Sequence, residues 1–450
     1  MTVSRELVML NKMFRRLAMI GFIGALAAAY VAQIHSPLRL AGDSPVYLCD
    51  ASDLVDGRGF RDNHLPPGYP YALAGLDLIG LGSNAGIVGL NLVSIVAGLA
   101  GISTVLRREF DFSKPEVNTI CVLSCCSWMW VELTTFPLSD LLFFALSSAV
   151  LAVLSLARQR STLQTGLLLA TAALLATAAF FVRTIGAALF IAVGFAMLET
   201  QPARKVLSRR VAIVVLIIGA VIAACIGIAR PHLFASPWYA GSLSYLKAMR
   251  NPAAVAQEIV WWRVGEVGEI AQNVSSTAFA PTTATLPLDS LSPGVQMTLQ
   301  LRALRIAVGL VFLVLILAGL WSRRRRLSPI EGYLTAYVGI LAIWPFDDTR
   351  FFAPVIPLLF AYAWLGLCSL KPPPQALRRF VLSYCVIFCF FGVVAMGDAL
   401  RVTYFDRLRP WRECRAYLVD IPDWFKAYNR YGGLRANSDN IRDKAARVVP

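Results

Sequence analysis

The feature that most limits how this chain can fold is a succession of long apolar runs parted by short gaps. The runs lie near residues 14–34, 84–106, 117–133, 140–157, 163–182, 184–198, 211–229, 303–321, 328–346, 350–370 and 379–400. About eleven segments, each close to the ~20 residues that cross a hydrocarbon layer, make an all-α polytopic membrane protein. A helix satisfies its own backbone in lipid, and the runs lack the two-residue alternation of an outer-membrane barrel. Charged residues are only 15% of the chain, too few to cover a soluble protein of this size. The first run follows Lys12, Arg15 and Arg16 without the cleavage site of a secretion signal, so it reads as an uncleaved anchor.

A formal net charge of +15 would point to nucleic acid in a soluble protein, but its placement here excludes that partner. Arg107, Arg108 and Lys114, then Arg158 and Arg160, then Arg204, Lys205, Arg209 and Arg210, then Arg323 to Arg326, then Lys371, Arg378 and Arg379 recur in every second gap. Basic gaps face the cytoplasm and anionic lipid, which sets the chain in a cell membrane, in a bacterium the inner one. The loops at 35–83 and 230–302 then face outward, and the Arg-rich tail at 401–450 is an external appendix to a membrane domain at 1–400. There is no GxxxxGK[ST] loop for a nucleotide and no fixed-period repeat. Most of the nine cysteines lie inside apolar runs; Cys49 and Cys414 fall outside them and read as free thiols. His35, His64 and His232 lie in outward gaps without metal-ligand spacing, so neither a metal nor another cofactor is expected.

Ionisable side chains next to apolar runs are costly and mark function in a membrane protein. Here Asp43, Glu132, Asp140, Arg183, Asp347, Asp348 and Arg350 all stand at outward ends of runs. The densest stretch is GDSPVYLCDASDLVDGRGFRDNHLPPGYPYALAGL, Gly42 to Leu76. Asp43 is its carboxylate nearest the membrane; Asp50, Asp53 and Asp56 read as a solvated helix face, and the Pro-Pro-Gly turn starts a short apolar helix.

Three patches carry a resemblance: Asp43 to Tyr71, FFVRTIGAAL at 180–189 and DDTRFFAPVIPLL at 347–359. They resemble the integral-membrane glycosyltransferases of the GT-C fold, of the protein O-mannosyltransferase and lipid A aminoarabinose transferase type. The resemblance implies a GT-C-like bundle with outward-facing loops. It also implies transfer of a hexosyl or pentosyl group from a polyprenyl-phosphate sugar to a glycan, lipid or protein acceptor outside the cytoplasm. An acidic residue of the first external loop is the catalytic centre in such proteins, which here is Asp43. Ser44 follows where many mannosyltransferase members carry a second acid, a departure that speaks against a protein acceptor and against metal assistance.

Such a transfer needs a base for the acceptor hydroxyl and cations for the leaving phosphate, whose charge grows as the sugar becomes oxocarbenium-like. Guanidinium forks meet phosphate oxygens in pairs, and Arg350 and Arg183 hold the right positions for it. Tyr47, His64, Tyr69 and Asp140 are candidates for sugar or acceptor binding, and a single base predicts inversion at the anomeric carbon. Trp238, Tyr239, Trp261, Trp262 and Arg263 are candidates for stacking on a sugar, but an interfacial aromatic belt explains them more cheaply. Two rival readings make Asp43 expendable. A lipid-linked-sugar flippase or transporter calls for midplane charges and matched broken helices. A polysaccharide polymerase or ligase leans on loop arginines such as Arg250 and Arg263.

Overall fold

The apolar runs become helices whose ends are set by local chemistry and whose breaks are set by tertiary partners. The computed structural model describes residues 17, 19–40, 43–60, 65–158, 162–199, 252–274, 293–324, 328–342, 348–405 and 430–431. Among them the helices are α1 (Met19–His35), α2 (Ser44–Val55), α3 (Gly68–Leu78), α4 (Asn84–Glu109), α5 (Lys114–Cys125), α6 (Trp128–Leu133) and α7 (Asp140–Ala157). They continue with α8 (Thr162–Val182), α9 (Ala187–Glu199), α10 (Pro252–Gln272), α11 (Pro293–Ser322), α12 (Pro329–Ala342), α13 (Ile356–Ser369) and α14 (Pro374–Tyr404). No described element is a strand. Six spans among the described residues are long and apolar enough to cross a membrane, and Met19–His35 and Thr184–Glu199 are shorter apolar helices. The run at 211–229 lies outside the described residues.

The run at 117–133 is two helices, because the chain breaks between Cys125 and Trp128. A break inside a bundle strands backbone groups that need partners. Asn273, just past α10 with φ 58°, supplies them. Its side chain accepts the Trp128 N–H at 2.7 Å and donates to the carbonyls of Cys126 at 2.7 Å and Phe388 at 2.8 Å. Further along, buried Asn91 reaches the carbonyls of Leu133, Thr134 and Phe136 at 3.0–3.2 Å and fixes the turn from α6 into α7.

Two glycine pairs fix which helices run together. A Cβ on Gly268 would sit 2.0 Å from the Arg305 carbonyl, and one on Gly309 2.1 Å from that of Val264. Gly319 and Gly366 meet the carbonyls of Tyr362 and Leu315 in the same way, at 2.0 and 1.9 Å. In both pairs each glycine faces the carbonyl one turn before its partner. α11 is therefore in backbone contact with α10 through one pair and with α13 through the other, and Phe312 meeting Phe360 at 5.9 Å keeps the same offset, so α11 and α13 run in the same direction. Within the 230–302 segment, α10 is a packed helix, buried from Val264 to Ala271, and the described residues from 293 begin α11.

The bundle has two distinct ends. At one, Arg158 pairs with Glu109 and Glu199, while Arg323 meets Glu331 at 2.6 Å, the Glu109 carbonyl at 2.6 Å and the Phe110 ring at 4.5 Å. These contacts gather basic gaps that are far apart in sequence. The opposite end holds α2, α3, the start of α7, the α8–α9 junction and the turn before α13. Most of α2 is buried there, including Asp50 and Asp53, so the solvated acidic face expected for these residues is not found. Packing against α3 covers the helix, and Arg58 Nε bonds Asp53 at 2.7 Å. Asp56 stays partly exposed and meets Arg430 at 2.6 Å, which also reaches Asp77 at 2.9 Å. Cys49 is buried and forms no disulfide among the described residues, and Cys414 lies outside them.

Candidate active site

Asp43 occupies the N-cap of α2, where an aspartate ordinarily accepts a backbone N–H from the first turn. It makes no capping bond. Pro45 at the second helical position removes one of the two possible N–H donors, and the Asp43 backbone is helical (φ −77°, ψ −8°) rather than extended as in a capping residue. The carboxylate turns outward from its own helix, and its Oδ2 lies 2.8 Å from a terminal guanidinium nitrogen of Arg350.

Arg350 rides on a short 3₁₀ turn, Thr349–Val355, that leads into α13. Asp348 caps this turn, its Oδ1 accepting the Arg350 N–H at 3.0 Å while Oδ2 lies 2.6 Å from Arg350 Nε. Burial raises the Asp348 carboxyl above the ordinary carboxylate range, against the opposing pull of Arg350. The turn is gripped from three helices. Glu266 of α10 accepts the Asp348 N–H at 2.8 Å, and Glu269 accepts the Thr349 hydroxyl at 2.6 Å. Tyr337 of α12 donates to the Phe351 carbonyl, and Trp130 of α6 donates to that of Ala353 at 3.0 Å.

Arg183 sits where α8 stops and the chain turns extended before re-entering a helix at α9. It pairs with Asp140, the first residue of α7, which is 1% exposed. Its guanidinium carbon lies 5.2 Å from the centre of the Phe351 ring, and that of Arg350 lies 5.3 Å from it, so one ring braces both cations. Gly68 of the Pro-Pro-Gly turn rests on the end of α8, where a Cβ would lie 2.6 Å from the Phe181 carbonyl. This contact brings α3 and Tyr69 to the cluster.

Tyr47 and Tyr69 meet edge to face at 5.1 Å between ring centres. The Tyr47 hydroxyl lies 3.2 Å from Ser139 Oγ and feels the charges of Asp43, Arg183 and Asp140. Burial pushes both tyrosine hydroxyls above their ordinary titration range, which keeps them protonated donors. The Tyr69 hydroxyl and Asp140 Oδ2 are buried with no hydrogen-bond partner among the described residues.

The fold thus brings together Asp43, Tyr47, Tyr69, Asp140, Arg183 and Arg350 from five separate segments; His64 and Asp347 lie outside the described residues. Sequence reasoning missed Ser139, Tyr337, Glu266 and Glu269. The last two had a signal, a pair of acids three apart among glycines and apolar residues in RVGEVGEIA. Of the predicted belt, Trp261 is exposed and Trp262 half-buried, while Trp238 and Tyr239 lie outside the described residues. No three His, Cys, Asp or Glu side chains among the described residues gather closely enough to hold a metal ion. The two guanidiniums at the mouth of the cluster suit an anion.

Crystal structures of ArnT from Cupriavidus metallidurans have the same fold. The apo structure aligns with a TM-score of 0.52 at 14% identity, over 92% of this chain and 85% of that one. The structure bound to undecaprenyl phosphate aligns with a TM-score of 0.52 at 14% identity, over 95% and 88%. ArnT is a GT-C lipid A aminoarabinose transferase, so the bundle is of the GT-C type. No protein-family profile and no curated protein sequence matches the chain.

Proposed function

We propose that this protein is a membrane glycosyltransferase that moves a sugar from a polyprenyl-phosphate donor to a hydroxyl-bearing acceptor at the outer face of a cell membrane. The observation that carries the reading is the 2.8 Å contact between Asp43 and Arg350. A carboxylate free of any capping bond stands beside a braced guanidinium, and that pairing supports reading the two as base and phosphate partner. The undecaprenyl phosphate bound to ArnT supports a donor of the same class here.

In the proposed reaction the acceptor oxygen attacks the anomeric carbon while the bond from that carbon to the phosphate oxygen breaks. Asp43 takes the acceptor proton, and polyprenyl phosphate leaves with the bonding electrons. Arg350 and Arg183 answer the charge that builds on the phosphate, and their sharing of Phe351 holds them ready before the donor arrives. The Tyr69 hydroxyl and Asp140 Oδ2, buried and unbonded within the protein, are the groups offered to sugar hydroxyls. A single displacement inverts the anomeric centre. The buried acids of α10 are each paired with an arginine, which favours this reading over a transporter with titrating midplane charges.

The test is to supply purified protein with lipid-linked sugars and extracted envelope glycolipids and to follow both by mass spectrometry. Appearance of free polyprenyl phosphate with a glycosylated acceptor supports the reading. Movement of the intact donor across a vesicle bilayer, with no change in its mass, would overturn it.

A further inference from the structure

The cation assigned to the donor phosphate is held in place by side chains that no step of the reaction touches. Glu266 and Glu269 lie three apart on α10, on one face of the helix, and their side chains are 2% and 5% exposed. Glu266 takes the backbone N–H of Asp348, and Glu269 takes the hydroxyl of Thr349. These are the two residues immediately before Arg350. Each acid also has its own arginine, Arg263 at 2.6 Å from Glu266 and Arg305 paired with Glu269.

A neutral Ser or Asn would satisfy one N–H and one hydroxyl at far lower desolvation cost than two buried carboxylates, each of which costs several kcal/mol to bury. What two acids add is strength and direction, because bonds to a charged acceptor are shorter and about twice as strong as neutral ones. The paired arginines cancel the charge, so the clamp adds no net repulsion to an incoming phosphate. We infer that Glu266 and Glu269, acting through Asp348 and Thr349, are positioning residues that aim Arg350 at the donor phosphate. The helix of the 230–302 segment is then part of the donor site. The inference rests on the assignment of Arg350 to the donor phosphate, and the experiment separates the two.

Binding of tritiated undecaprenyl phosphate to the purified full chain is measured by scintillation proximity for Thr349→Val, Thr349→Ser, Glu269→Gln, the Thr349→Val/Glu269→Gln double variant and Arg350→Ala. Losing the charge-assisted bond should weaken binding roughly tenfold in Thr349→Val, and Glu269→Gln, whose amide oxygen still accepts the hydroxyl without the charge, should weaken it less. The double variant should be no worse than Thr349→Val alone, because the bond whose charge Glu269→Gln removes is already gone. Thr349→Ser, which keeps the hydroxyl, should recover most of the affinity, and acceptor KM should stay unchanged throughout. Wild-type affinity in Thr349→Val and Glu269→Gln beside a clear loss in Arg350→Ala would overturn the positioning role alone. Wild-type affinity in Arg350→Ala would remove the donor-phosphate assignment beneath it. Additive losses in the double variant, or equal loss in Thr349→Ser and Thr349→Val, would also overturn the inference. If Glu269→Gln fails to fold, the comparison of the two Thr349 variants decides by itself.

Discussion

Replacing Asp43 by Asn is the sharpest probe of the proposed chemistry, because the structure separates its effect on rate from its effect on binding. General-base assistance is worth about 10² to 10⁴ in rate, or roughly 3 to 5 kcal/mol of barrier, and an amide supplies almost none of it. The substitution should leave the fold intact. Asn keeps an oxygen to accept the Arg350 bond at 2.8 Å, and Arg350 retains Asp348 at 2.6 Å, so no buried cation is left without a counter-charge. Donor binding should not weaken. One negative charge leaves the neighbourhood of the phosphate, and at ~5 Å with an effective dielectric near 20 that repulsion is about 3 kcal/mol before screening. The Asp43 side chain is 29% exposed, which reduces the gain to roughly a few-fold in affinity. Single-turnover transfer from radiolabelled lipid-linked sugar in nanodiscs gives the rate, and equilibrium binding of polyprenyl phosphate gives the affinity. Near-normal turnover would refute the mechanism. Donor binding lost in step with turnover would refute it as well, since Asp43 would then be holding the donor.

Arg350→Ala should raise donor KM and lower turnover, and Arg350→Lys should recover only part of each, because a point charge replaces a fork; steady-state kinetics showing equal activity in all three forms would leave Arg350 a structural ion-pair partner. Asp140→Asn removes the partner of Arg183 in a pair that is 12% and 1% exposed, and should cost about 3 to 5 kcal/mol, read as a fall in unfolding temperature in detergent that the added Arg183→Met change partly restores. A cysteine at Arg58, whose side chain is 59% exposed, should react with a membrane-impermeant thiol reagent on intact cells; labelling only after permeabilisation would reverse the orientation.

The spans were legible because hydrophobic length is a local property that any window of the sequence exposes. The break between α5 and α6 was not, because the side chain that makes it tolerable, Asn273, enters 147 residues after Cys126. Asp43, Asp140, Arg183 and Arg350 stood out because charge at the end of an apolar run is costly wherever the chain goes next. Their partners followed no local rule: Arg183 to Asp140 and Asp43 to Arg350 join separate helices. Asp50 and Asp53 misled for the opposite reason. Acids three apart on a polar helix look solvated, and only the packing of α3 and the reach of Arg58 bury them. Glu266 and Glu269 lay in a stretch whose tryptophans drew the reading toward the membrane interface, although two acids on one face of an otherwise apolar helix already called for partners.

The 307 residues that separate Asp43 from Arg350 also set a timetable for the nascent chain. At roughly 5 to 20 residues per second, about fifteen seconds to a minute of synthesis divides the two. For that whole interval the first loop is already made, yet Asp43 lacks the Arg350 guanidinium that lies beside it in the finished fold. On the proposed mechanism a chain cut short just before residue 350 carries Asp43 and Arg183 but lacks Arg350, and transfers sugar poorly. On the same mechanism the full site assembles only when the turn before α13 is laid against the start of α2, late in synthesis of the chain.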